Sequence, residues 1–78
     1  MQSIKRRKKI ENICNQLSAL LQDIESVKEE EQDSFDNLPE GIQYSEKGEK
    51  MEEYISQMED AISEIESVSE ILEEIFQT

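Results

Sequence analysis

The sequence predicts an all-α fold: an antiparallel two-helix hairpin, coiled-coil-like, that pairs with a second copy into a four-helix bundle. Three observations carry this reading. Two segments of roughly 30 residues repeat apolar residues every three or four positions, and neither residues 1–35 nor 49–78 contain proline or glycine. The only proline and both glycines fall between those segments. The second segment also has one apolar row more than a two-helix seam can cover.

The first helix is expected at about residues 3–34. Its apolar residues Ile10, Ile13, Leu17, Leu20, Ile24 and Val27 alternate spacings of three and four, which is a heptad with Ile10 at a and Ile13 at d. Cys14 and Leu21 stand at e, beside that seam. The second helix is expected at about 45–77. Met51, Ile55, Met58, Ile62, Ile65, Leu72 and Phe76 hold its a and d positions, with Ser69 as the polar exception. Folding one helix back on the other pairs Val27 with Met51, Leu20 with Met58, Ile13 with Ile65 and Ile24 with Ile55. The same register sets Glu31 opposite Gly48, where a missing side chain leaves room.

The turn, about residues 35–44, separates them. Asp36 or Asn37 followed by Leu38-Pro39 stops the first helix, because the residue before a proline avoids the helical region. Gly41 permits a positive φ. Ser45 suits the N-cap of the second helix, and Glu46 and Glu49 favour its positive end. Phe35, Leu38, Ile42 and Tyr44 are expected to close the hairpin with a small apolar cluster. Ordered loops also carry function, so Phe35, Asp36, Asn37, Leu38, Pro39, Ile42 and Tyr44 form a candidate partner-binding turn.

At 78 residues the chain makes a single domain, 1–78. So short a chain buries little apolar surface, and small domains rely on disulfides, metals or association. One cysteine forbids an intrachain disulfide, and zero histidines argue against the common zinc and haem sites. Association is therefore the expected route. The g row of the second helix, Tyr54, Ala61, Val68 and Ile75, supplies a face for it, joined by Leu21 and Phe76; these six are the expected dimer interface.

Chemistry is poorly represented. There is no nucleophile-plus-base pair and no glycine-rich phosphate loop, so no catalytic, cofactor-binding or metal residue is assigned and the expectation is a non-enzyme without cofactors. Asp33, Asp36, Asn37 and Glu40 lack the spacing of a calcium loop. Cys14 reads as a small core residue. A lone thiol, no secretory signal and no apolar run near the ~20 residues of a membrane span point to a cytoplasmic protein.

The net charge of −12 is unevenly spread: Lys5, Arg6, Arg7, Lys8 and Lys9 are five of only eight bases. A body this acidic repels nucleic acid and anionic membranes. Glu52, Glu59, Glu66 and Glu73 occupy every e position of the second helix, and Glu53, Asp60 and Glu74 stand at f. This ridge either keeps the hairpin soluble or imitates a nucleic-acid backbone and occupies a phosphate-binding groove. In the hairpin the basic run lies beside Glu70, Glu73 and Glu74, so that each cluster offsets the other's unfavourable helix-end charge; a basic tag for an anionic surface is the alternative.

The run "EEEQDSFDNLPEGIQYSEKGEKMEEYISQMEDAISEIE", residues 29–66, resembles small phage- and prophage-encoded helical proteins whose turn reads FDNLPE-x-IQ-x-SE-x-GE-x-M-E. The matching positions are Phe35, Asp36, Asn37, Leu38, Pro39, Glu40, Ile42, Gln43, Ser45, Glu46, Gly48, Glu49, Met51 and Glu52. The resemblance covers about half of the chain, and the basic start lies outside it. It implies a phage setting, in the cytoplasm of an infected or lysogenic bacterial host, and an accessory role with no settled activity. The expected function is protein–protein interaction through a self-associating hairpin, with an unidentified protein partner. The alternative is an acidic decoy that inhibits a host DNA-binding or defence protein.

Overall fold

The structure is a computed structural model that describes residues 3–77. Two long helices, α1 (Ile4–Asp36) and α3 (Glu46–Gln77), lie against each other, and a one-turn helix, α2 (Glu40–Gln43), joins them. The molecule is a rod of 59 × 14 × 12 Å, close to the ~50 Å that 33 helical residues span. The described residues contain no strand.

Each helix end has a local cause. Ser3 starts α1: its hydroxyl accepts the Arg6 N–H at 3.2 Å and its carbonyl accepts the Arg7 N–H at 3.0 Å, as an N-cap does. Asn37 ends α1 as its C-cap, donating to the Asp33 carbonyl at 3.1 Å, and Pro39 forbids continuation. The helix thus runs two residues past the expected end. Pro39 then opens α2, where its carbonyl accepts the N–H of Ile42 and of Gln43. Ser45 starts α3 by taking the Glu49 N–H on its carbonyl at 3.0 Å, while its hydroxyl donates back to the Ile42 carbonyl.

The buried stripe of α3 runs through Gly48, Met51, Ile55, Met58, Ile62, Ile65, Ser69, Leu72 and Phe76, all buried or half-buried. That is the expected a/d seam. On α1 the stripe is different. Arg7, Ile10, Cys14, Leu17, Leu21, Ile24, Lys28, Glu31 and Phe35 are buried or half-buried, whereas Ile13, Leu20 and Val27 are 46%, 55% and 51% exposed. The first helix is rotated so that its a and e rows face α3, and the expected d-row pairing of Val27, Leu20 and Ile13 does not form the seam. The rotation exchanges Ile13 for Cys14 and Val27 for Lys28 in the seam, and at the turn it half-buries Phe35 where an a/d seam would end on Ser34, a gain in apolar burial at that end. Lys28 tolerates its half-buried place because its long stem can pack while the ammonium reaches water.

The turn departs from expectation in two further ways. No glycine among the described residues has a positive φ; Gly41 sits inside α2 with open space around it. The nearest neighbour of Gly48 is the Gln43 backbone: a Cβ there would stand 2.6 Å from the carbonyl carbon and 2.8 Å from the Cα of Gln43, and closer still to its oxygen. Glycine is thus required for close approach, not for a special dihedral. Gln43 completes the joint. Its side-chain amide donates to the carbonyls of Phe35 and Leu38, at 3.2 Å each, and the Phe35 carbonyl also accepts the Leu38 N–H at 3.1 Å, so the end of α1 and the turn share one hydrogen-bonded joint. The apolar cluster is reduced to Phe35 and Leu38, both half-buried, since Ile42 is 41% and Tyr44 78% exposed.

Candidate functional site

The rotation of α1 leaves the hairpin with two unlike faces. On one, the d row of α1 (Ile13, Leu20, Val27) runs beside the g row of α3 (Tyr54, Ala61, Val68, Ile75). Tyr54 and Val68 are about half exposed, Ala61 and Ile75 are half-buried, and Ile71, on the neighbouring row, is 61% exposed. Between the rows lies an open groove of about 470 Å³ whose floor and walls are Leu17, Leu20, Ile24, Val27, Met58, Ala61 and Ile65, with Asp23 at its edge. Ala61 makes the groove: a longer side chain there would fill it.

The opposite face is acidic. Glu66 and Glu73 line a depression with Cys14, Ser18, Leu21, Ser69 and Glu70. Glu52 and Glu59 line a second with Gln32, Phe35, Ile55 and Ser56. The ridge residues Glu52, Glu53, Glu59, Asp60, Glu66, Glu73 and Glu74 are all exposed. Cys14 is buried against this face. Burial pushes its thiol above the ordinary value, and the Glu73 and Glu11 carboxylates push it the same way. Such a thiol stays protonated and is a poor nucleophile. Among the described residues no group of three or more carboxylate or thiol ligands converges on a metal-sized site. No described helix is long and apolar enough to cross a membrane.

Of the six interface residues expected from sequence, Tyr54, Ala61, Val68 and Ile75 lie on the apolar face. Leu21 lies in the seam, at the edge of the acidic depression, and Phe76 is half-buried as part of the α3 stripe. The residues of the apolar face that the sequence reading assigned elsewhere are Ile13, Leu20 and Val27. The a, d and e rows of α1 all carry apolar residues, so 3-4 spacing admits both an a/d seam and an a/e seam. The e row also holds Arg7 and Lys28, which favours d on composition, whereas Phe35 continues the e row to the turn. Of the candidate turn residues, Asp36, Asn37, Pro39, Ile42 and Tyr44 are exposed and Phe35 and Leu38 are packed. The turn therefore offers a polar rim with one exposed aromatic, Tyr44.

Comparison with protein-family models, curated proteins and solved structures gives no significant match to the chain.

Proposed function

We propose that this chain is a non-enzymatic accessory protein that self-associates through its apolar face, as a four-helix bundle of two hairpins, and acts by binding another protein. The observation that carries the proposal is the uncovered groove with its flanking rows. The chain exposes 6030 Å². A compact monomer of 9.1 kDa exposes about 4,900 Å², so this rod shows roughly 1,100 Å² in excess. A stable interface hides about 800 Å² per partner. Among the described residues only Cys14, Ile55 and Ile62 are buried hydrophobics, a core too thin for a hairpin to stand alone with ease. The phage setting implied by the turn motif belongs to the same proposal.

Light scattering on variants tests it. Leu20→Glu and Val68→Glu place carboxylates on the apolar face and are expected to shift the protein toward monomer. Glu53→Lys, on the opposite side, should leave association intact. Equal behaviour of all three would overturn the assignment of this face.

A second reading rests on the acidic face, which self-association through the groove leaves outward. Regular exposed carboxylates along α3 suit a groove that binds phosphates, where attraction is dominated by charge. In this reading the chain is a decoy for a nucleic-acid-binding protein. Capture of such a protein from bacterial lysate, competed by DNA and lost when Glu52, Glu59, Glu66 and Glu73 become glutamine, supports it. Capture that survives those substitutions contradicts it.

A further inference from the structure

We infer that the second copy docks head-to-tail, with the turn of one hairpin beside the open end of the other, so that α1 packs on α1 and α3 on α3 across a two-fold axis. This rests on the self-association proposed above and adds the orientation. The groove lies at mid-length, between residues 17–27 of α1 and 58–65 of α3, so a two-fold axis across the rod near Leu20 and Ala61 superposes the whole apolar face of one copy on that of the other. Such an interface is self-complementary. The face is large enough: a rod of 59 by 14 Å has a footprint of roughly 800 Å², the standard share of one partner.

Full overlap is equally possible with the turns side by side, so contact area does not choose the orientation. Charge does. Residues 28–53, the turn end, carry ten carboxylates and three bases. The open end, residues 3–14 and 65–77, carries five carboxylates and five bases, because Lys5–Lys9 balance Glu11, Glu66, Glu70, Glu73 and Glu74. The two ends are several Debye lengths apart, at about 8 Å each in physiological salt, so each end interacts mainly with whatever lies beside it. Turn beside turn sets two strongly negative ends together. Turn beside open end sets a strongly negative end against a neutral one that contains a five-residue cluster of cations. The uneven placement of the basic run thereby acquires a role: it fixes the orientation of the pair.

The test is a distance. In a Cys14→Ala background, Tyr44→Cys puts a spin label on the exposed tip of the turn. The head-to-tail dimer should give a label-to-label distance on the order of 50 Å, set by the rod's length, and turn-by-turn packing one under roughly 25 Å, from interaxial spacings of about 8–10 Å. A short distance overturns the orientation while leaving self-association standing. No defined distance at concentrations up to the millimolar range overturns both. The unsubstituted protein gives an independent check. In a mixture of isotope-labelled and unlabelled chains, head-to-tail packing predicts magnetisation transfer between methyls of Ile13 in one copy and Val27 in the other. Turn-by-turn packing predicts Ile13 to Val68 instead.

Discussion

Replacing Gly48 with alanine adds one methyl group where the turn and α3 touch. On helix propensity alone the change is favourable, by at most about 1 kcal/mol. The structure predicts the opposite sign. The new Cβ would lie 2.6 Å from the Gln43 carbonyl carbon and 2.8 Å from its Cα, and these are backbone atoms that no rotamer change can move. The turn must lift by close to an ångström. Lifting it strains the two bonds of 3.2 Å by which the Gln43 amide holds the Phe35 and Leu38 carbonyls, each worth about 0.5–1.5 kcal/mol. Overpacking of this kind costs about 1–3 kcal/mol. Set against a propensity gain of up to about 1 kcal/mol, the net loss is on the order of 1 kcal/mol. At about 4–8 °C per kcal/mol for a domain of this size, Tm should fall by roughly 5 °C. Circular dichroism melts at one fixed protein concentration read it, since Tm of an associating protein depends on concentration. Gly41→Ala is the control: nothing lies within 4 Å of a Cβ there and the residue is helical, so its Tm should hold or rise. A Gly48→Ala melt at or above wild type would refute the close-approach argument.

Other expectations follow from the same geometry. Phe35→Ala and Leu38→Ala should each cost on the order of 1–2 kcal/mol, below the ~2–5 kcal/mol of fully buried truncations because both side chains are half-buried; melts unmoved by either would show that the turn's side chains are not structural. Gln43→Glu replaces a donating amide with an acceptor facing two carbonyls and should destabilise more than Gln43→Leu, a ranking that paired melts check. Added salt should raise Tm, since a net charge of −12 repels itself most at low ionic strength; a Tm that falls with salt would mean that ion pairs outweigh the repulsion. Cys14, buried and with its thiol held above the ordinary value, should react with iodoacetamide far more slowly in the folded protein than in urea, and equal rates would place it on the surface.

The two long helices, their direction and the stripe of α3 were legible in the sequence because each follows from spacing and from the punctuation at Leu38-Pro39. The rotation of α1 was not. Spacing alone gives both Leu20 and Leu21 a claim to the seam, and the rotation that favours Leu21 is the one that also packs Phe35 at the turn, a contact remote from it in sequence. Gly48 was recognisable as a place needing room, but its neighbour was not, because α2 is a single turn whose position depends on where the Gln43 side chain finds acceptors. The acidic columns of α3 were fully readable, since exposure follows directly from the heptad. The groove depends on the rotation of α1, so the sequence supplied its α3 wall and misplaced the other.

A second copy on the apolar face must show itself as mass, and sedimentation equilibrium of the unsubstituted protein from about 1 to 200 µM measures it. The mass should rise toward twice 9.1 kDa, with a Tm that climbs over the same concentration range. A mass that stays at 9.1 kDa throughout, with helicity intact and Tm constant, would contradict self-association.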